Sequence, residues 1–363
     1  YDLVGDVLPR SAECSSITPH YGFASCRPYK LHLQEMTSMK AIVTGAAGFI
    51  GFHTAARLLD EGWQVIGIDN LNDYYQVDLK ETRLAKLNAR DGFRFAQADV
   101  SDAEAFNAAI GVDRDVDVIV HLAAQAGVRY SIENPAAYVS ANVMGQVTVF
   151  ETALKLEKRP PVVYASSSSV YGANEKIPFS ESDAVDHPVS VYAATKRSGE
   201  LLAVSYKHVH GQHSTGLRFF TVYGPFGRPD MAPWLFTSAI LKGEPIRVFN
   251  NGEMQRDFTF VDDIVSGVLG AVKRIMEQPE QTAPVYNLGN NRPVMLSDFI
   301  SEIEKACGKQ AIRKLEPMPA ADVPRTYADI TLAARDLGFS PKTTLDEGIP
   351  LFVEWFRGYN GTR

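Results

Sequence analysis

The sequence predicts an α/β protein, a doubly wound parallel sheet with a smaller C-terminal α/β lobe. Two observations carry that class. Between positions 40 and 219, short apolar, β-branched runs alternate with helix-patterned segments of roughly a dozen residues or more. That order builds a parallel sheet covered on both faces. From about Thr221 the pattern changes, and Pro225, Pro229, Pro233, Pro245, Pro284, Pro293, Pro317, Pro319 and Pro324 punctuate shorter elements.

Residues 1–38 do not share that pattern. They hold Pro9, Pro19 and Pro28, scattered Ser and Thr, and no sustained period. They also lack the basic start and apolar stretch of a secretory signal. We read them as a disordered or artefactual extension, with Met36 and Met39 as candidate starts. The 363 residues, 45% hydrophobic and 22% charged, suit a globular chain with two lobes. A net charge of −7 and a pI of 5.7 give no electrostatic footprint for nucleic acid or an anionic membrane. No apolar run approaches the roughly 18–20 residues of a membrane span. Cys14, Cys26 and Cys307 make an odd count without metal-ligand spacing. Cys14 and Cys26 could pair, but the plainer reading is free thiols in a reducing compartment, hence a cytoplasmic location, and no metal site.

The predicted strands are Lys40–Thr44, Gln64–Ile68, Phe93–Ala98, Val116–Leu122, Pro161–Ser166 and Thr215–Phe219. The first leads into Gly45-Ala46-Ala47-Gly48-Phe49-Ile50-Gly51 and then a run with helical spacing that stops at Gly62. Strand, glycine-rich turn, helix is the context of a dinucleotide-binding turn. Gly45 allows the tight turn, Gly48 lets backbone N–H groups approach a pyrophosphate, and Gly51 lets the helix pack on the strand. The helix N-terminus adds partial positive charge beside Phe49 and Ile50. Asp69 closes the second strand at about the spacing where an acid accepts from the adenosine ribose. A carboxylate there repels a 2′-phosphate, which favours NAD over NADP; the alternative is a turn cap, with Asn70 and Asn72 in the same turn. Asp99-Val100 and Leu122-Ala123-Ala124-Gln125 end the third and fourth strands on the ligand-binding edge of such a sheet. His121 sits in an apolar strand and reads as a core residue.

The sharpest chemical signal is Tyr192-Ala193-Ala194-Thr195-Lys196, a Tyr and a Lys on one helix face. A nearby ammonium lowers the pKa of a phenol, so the pair can take a proton from an alcohol as hydride leaves the same carbon. Upstream, Val162–Ala165 is a strand-like run followed by Ser166-Ser167-Ser168-Ser169. A serine there can hold the substrate oxygen; the alternative is a Ser-rich turn making local bonds.

Together these motifs resemble the extended short-chain dehydrogenase/reductase superfamily, and within it the nucleotide-sugar epimerases. The resemblance runs from about Met39 to Phe356 and includes Arg256-Asp257-Phe258. It implies a Rossmann-like fold, with residues 39–220 binding NAD and 221–363 mainly binding substrate. It further implies Tyr192 as acid/base, Lys196 on the nicotinamide ribose, Ser167 on the sugar O4, cofactor contacts by Asn142 and Phe220, and a homodimer.

Relatives that dehydrate or decarboxylate the sugar carry an acid in the stretch aligned with Ser167-Ser168-Ser169-Val170-Tyr171-Gly172. Here there is none, which favours plain epimerisation. The stretches Ile68–Tyr75, Arg218–Met231 and Gln255–Ile264 resemble UDP-glucuronate 4-epimerases. Many UDP-galactose epimerases hold Asn at the position of Thr221. They also tend to hold Arg three positions before the acid aligned with Asp322, where this chain has Pro319. The expected substrate is therefore UDP-glucuronate, with UDP-glucose/UDP-galactose, a decarboxylase or dehydratase, and a non-catalytic NAD-binding module as alternatives. A diphosphate and a carboxylate suit guanidinium groups. Arg129, Arg228, Arg256 and Arg325 are candidates, with Arg256 assigned to the diphosphate and Arg228 to the nucleotide–sugar junction. Thr221, Ser168 and Ser169 are expected near the sugar.

Overall fold

Seven parallel strands form the main sheet, and most are written in the sequence as short β-branched runs. The computed structural model describes residues 38–318 and 323–361. The extension over 1–37, with Cys14 and Cys26, and candidate Asp322 lie outside the described residues.

In chain order, β1 (Lys40–Thr44), α1 (Phe49–Asp60), β2 (Gln64–Asp69), α2 (Val77–Asn88), β3 (Phe93–Gln97) and α3 (Ala103–Ile110) make the first half of the sheet. They are followed by β4 (Val118–His121), the short helices α4 (Tyr130–Glu133) and α5 (Pro135–Tyr138), a π-helical turn over Val139–Met144, and α6 (Gly145–Lys155). Next come β5 (Val162–Ser167), a 3₁₀ turn over Ser168–Tyr171, α7 (Val191–His210) and β6 (Ser214–Phe219). The remainder comprises β7 (Thr221–Tyr223), α8 (Ala232–Lys242), β8 (Pro245–Phe249), β9 (Gln255–Phe260), α9 (Val261–Glu277) and β10 (Val285–Leu288). It ends with β11 (Pro293–Met295), α10 (Leu296–Cys307), β12 (Ile312–Glu316), α11 (Thr331–Leu337) and α12 (Leu345–Asn360).

The main sheet runs β10-β6-β5-β4-β1-β2-β3. The order reverses at β1, the switch point outside which ligands bind in open α/β sheets. Alternate strand residues feed two cores. Ala41, Val43, Val118, Val120 and Val163 face one; Ile42, Ile119, Val162 and Tyr164 face the other, with Phe106 and Phe150 from α3 and α6. Each fully buried Val, Ile or Phe among them contributes about 1.5–3 kcal/mol. β10 comes from the Pro-punctuated part of the chain, yet it pairs with β6 over Gly216–Phe219. The smaller sheets are β11-β9-β7 and β12-β8.

α7 carries the Tyr/Lys pair. The Ser190 hydroxyl caps its start by accepting the Ala193 N–H (3.1 Å), and Gly211 ends it in the left-handed conformation.

Candidate active site

The glycine turn is shaped by what a side chain would strike. Gly45 has φ 71°, and a Cβ there would come within 2.7 Å of the Ala123 nitrogen. A Cβ on Gly51 would lie 2.0 Å from the Gly45 carbonyl oxygen, so α1 reaches the turn only because position 51 has none. No side chain caps the α1 N-terminus at Gly48. Asp69 is buried; its carboxylate accepts the N–H of Ala47 (3.1 Å) and of Leu71 (2.9 Å). It therefore caps its own turn, as one reading of the sequence expected, and also lines the cavity beyond. Burial raises its pKa, against the pull of those N–H groups and of Lys80. Asn70 donates to Asp99 (2.8 Å), and Asp99 accepts both N–H and hydroxyl of Ser101. Asn72 receives the Lys80 ammonium on its backbone and side-chain oxygens (2.6 and 2.7 Å).

These groups line one cavity of about 1190 Å³. It also receives Gly48, Phe49, Ile50, Val100, Leu122, Ala123, Ala124, Gln125, Phe220, Tyr192 and Lys196. From the expected substrate set it receives Arg129, Ser167, Ser168, Ser169, Thr221, Arg228 and Arg256.

Asn142 is buried behind the loop that follows β4. Its amide is spent on the backbone N–H and carbonyl of Gln125 (2.8 and 3.0 Å) and on the Thr195 hydroxyl (2.9 Å). It clamps the loop after β4 to α7 from within the π-helical turn, an irregularity that often marks function.

Tyr192 and Ser167 both line the cavity, and the Ser167 side chain acts to lower the Tyr192 pKa. Ser167 Oγ in turn donates to Ser169 Oγ and accepts the Ser169 N–H, both at 3.2 Å. Ser166 points elsewhere, donating to buried Glu200 at 2.6 Å. Lys196 donates to the Ala165 carbonyl (2.9 Å), and burial pushes its pKa down to about 8. The Tyr192 pKa is raised, because burial outweighs Ser167 and Arg228. The ammonium of Lys196 is thus turned to the end of β5, although it shares a helix face with Tyr192. His121 is buried in β4, its Nδ1 2.7 Å from the Thr44 hydroxyl, and desolvation pushes it down to about 3.

On the far wall, Arg228 pairs with Asp230 (Nε to Oδ1, 3.0 Å) and lies over the Tyr74 ring at 5.9 Å. Arg129 lies over the Phe249 ring at 4.7 Å. Arg256 donates to the carbonyls of Gln255 (2.9 Å) and Pro324 (3.3 Å). Asp257 is structural: its carboxylate accepts the N–H groups of Asn290, Asn291 (3.1 Å) and Ala328 (3.0 Å).

A family model of the NAD dependent epimerase/dehydratase family matches residues 41–289. The chain belongs to this family. A probable UDP-glucuronate 4-epimerase of Rhizobium meliloti is 45% identical over 332 residues, 88% of this chain and 97% of that protein. UDP-glucuronate 4-epimerase 4 of Arabidopsis thaliana is 47% identical over 330 residues, 88% of this chain and 75% of that protein. The crystal structure of UDP-glucuronic acid 4-epimerase from Bacillus cereus, in complex with UDP-glucuronic acid and NAD, matches with a TM-score of 0.80. Its identity is 32%, over 88% of this chain and 100% of that one.

The residues of this family member fit a dinucleotide. Gly45 and Gly51 exclude side chains, α1 opens onto the cavity without a side-chain cap, and Asp69 sits where β2 ends. Two residues escaped the sequence reading. Lys80 and Arg83 are almost wholly buried, and Lys80 lines the cavity. Their signal was present: both lie among Leu79, Leu84 and Leu87 on the inward face of α2.

Proposed function

We propose that the protein is an NAD-dependent UDP-glucuronate 4-epimerase, interconverting UDP-glucuronate and UDP-galacturonate through a transient 4-keto sugar. The observation that carries the reading is the wall at the end of β5. There Ser167, Ser168 and Ser169 line the same cavity as Tyr192 and offer hydroxyls with no carboxylate among them. Such a wall supports proton exchange at one oxygen and lacks an agent for a second proton transfer. The likeness to named UDP-glucuronate 4-epimerases supports the uronate.

In this reading residues 39–220 hold the cofactor and 221–363 mainly the sugar nucleotide. Gly45–Gly51 and Asp69 hold NAD, which when bound supplies the hydride acceptor and donor, so no reductant is consumed. Ser167 holds O4 and Tyr192 takes its proton, returning it after the sugar has turned over. Lys196, still mostly charged near neutral pH, supports the phenolate and holds the nicotinamide ribose. The ketone is β to the C6 carboxylate, an arrangement prone to losing CO₂. Ser168, Ser169 and Thr221 hold the carboxylate, Arg228 the nucleotide–sugar junction and Arg256 the diphosphate.

Incubation with UDP-glucuronate and, separately, UDP-glucose, without added NAD and read by NMR, tests this. UDP-galacturonate is the expected product. A pentose product, or activity on UDP-glucose alone, overturns it.

We also propose a homodimer built on α7 and the π-helical turn. Leu201 and Val204 are 55% and 59% exposed, beside exposed Val139 and Met144. Burying such a stripe against a second copy removes apolar surface from water. Light scattering should give twice the chain mass, and Leu201→Glu with Val204→Glu should give one; a monomeric wild type sinks this. The cytoplasmic assignment is supported by the free, buried Cys307 thiol, and cell fractionation tests it. Among the described residues no helix is long and apolar enough to cross a membrane.

A further inference from the structure

A buried cation that the proposed chemistry does not use ties two walls of the cavity together. Arg83 on α2 has no exposed surface. Its Nη1 donates to the Ala47 carbonyl inside the glycine turn (2.7 Å) and to the Tyr75 hydroxyl (2.8 Å). Its Nη2 donates to the Phe226 carbonyl (2.7 Å). Ala47 is held from its other side by Asp69, which accepts its N–H.

Phe226 is held in an unusual way. It has φ 60°, a conformation that a bulky L-residue keeps only where its surroundings impose it. Its ring lies against Phe52 and Trp355, each with centroids 4.9 Å away. The carbonyl before it, that of Pro225, is bonded to His53 Nε2 at 2.9 Å. Two residues after it comes Arg228 at the cavity wall. The strap Pro225–Arg228 is thus fastened by α1 and α2, the two helices beside the dinucleotide turn.

The acceptors of Arg83 are neutral. A permanent charge buried on neutral acceptors is a costly way to fix a helix. What it provides is a rigid fork that sets two carbonyls of distant segments at one spacing, which a lysine cannot do. We propose that Arg83 is a positioning residue for the UDP-sugar. It locks the strap to the glycine turn, so that Arg228 meets the substrate in register with the cofactor. The inference rests on Arg228 contacting substrate in the proposed function.

The test compares wild type with Arg83→Lys in UDP-glucuronate kinetics, bound NAD per chain and thermal melting. The expected result is a KM raised about tenfold, as for one lost charge-assisted hydrogen bond, with kcat changed less and NAD content retained. A merely structural role lowers the melting temperature and leaves the KM of the folded enzyme unchanged; an unchanged KM overturns the proposal. Should Arg83→Lys not fold, His53→Leu cuts the other fastening of the same strap. A raised KM with NAD retained then supports the proposal, and an unchanged KM overturns it. If wild type leaves UDP-glucuronate untouched, the functional reading falls instead. Calorimetric UDP affinity then carries the Arg83 test, with weaker binding by Arg83→Lys expected and equal binding overturning it.

Discussion

Tyr192→Phe is expected to lower kcat by about a thousandfold while NAD stays bound. The size is that of removing a positioned acid/base from a proton transfer. The substitution deletes one oxygen and keeps the ring that packs edge-on against Tyr138 at 6.0 Å. The glycine turn after β1 and Asp69 at the end of β2 are untouched, so the bound cofactor should be unchanged. Steady-state kinetics with NAD content measured on the same sample checks both halves. Activity within tenfold of wild type would remove Tyr192 from its role.

The second large effect is on stability. Glu200→Ala should destabilise the protein by about 3–5 kcal/mol, the range for stranding one member of a buried ion pair. Arg218 and Glu200 are both almost wholly buried and make two contacts, at 2.8 and 2.9 Å. Ser166 and Arg197 bond the same carboxylate, and Arg218 continues to Tyr171 and thence to Asn287 on β10. Burial pushes the Glu200 carboxyl up, but Arg218 with Ser166 and Arg197 outweighs it and holds the pKa below the usual glutamate value. The sign follows from linkage. A depressed folded pKa gives stability that is complete above the unfolded value, near 4.5, and is lost as pH falls through the folded one. Wild type should therefore lose stability below about pH 4.5, and Glu200→Ala should lack that part of the acid transition. Denaturant melts at several pH values test this; parallel curves for the two proteins would refute it.

Much of the main sheet was legible because strands buried on both faces must be apolar throughout, as at Val118–His121 and Val162–Tyr164. β10 was not legible. Its four residues, Val285–Leu288, sit among prolines and carry no period long enough to read. In the site, residue type and order sufficed to bring Tyr192, Ser167 and the glycine turn to one cavity. Direction was the hidden quantity. Helical spacing places Lys196 on the face of Tyr192, but whether its ammonium meets a phenol or the Ala165 carbonyl depends on a strand from elsewhere in the chain. The partners of Asn142, Gln125 and Thr195, were hidden for the same reason, being remote in sequence.

The late return of the chain to its first sheet has a consequence for biosynthesis. β10 covers β6, and it leaves the ribosome only after β7, β8 and β9 have been made. Until then β6 presents an open edge of unpaired backbone groups, a template for pairing with another nascent chain. The Tyr171–Asn287 bond, 2.7 Å long, is a long-range contact that forms only after that wait. The segments before and after position 220 are therefore one unit to the folding machinery, and position 220 is no place to cut the chain.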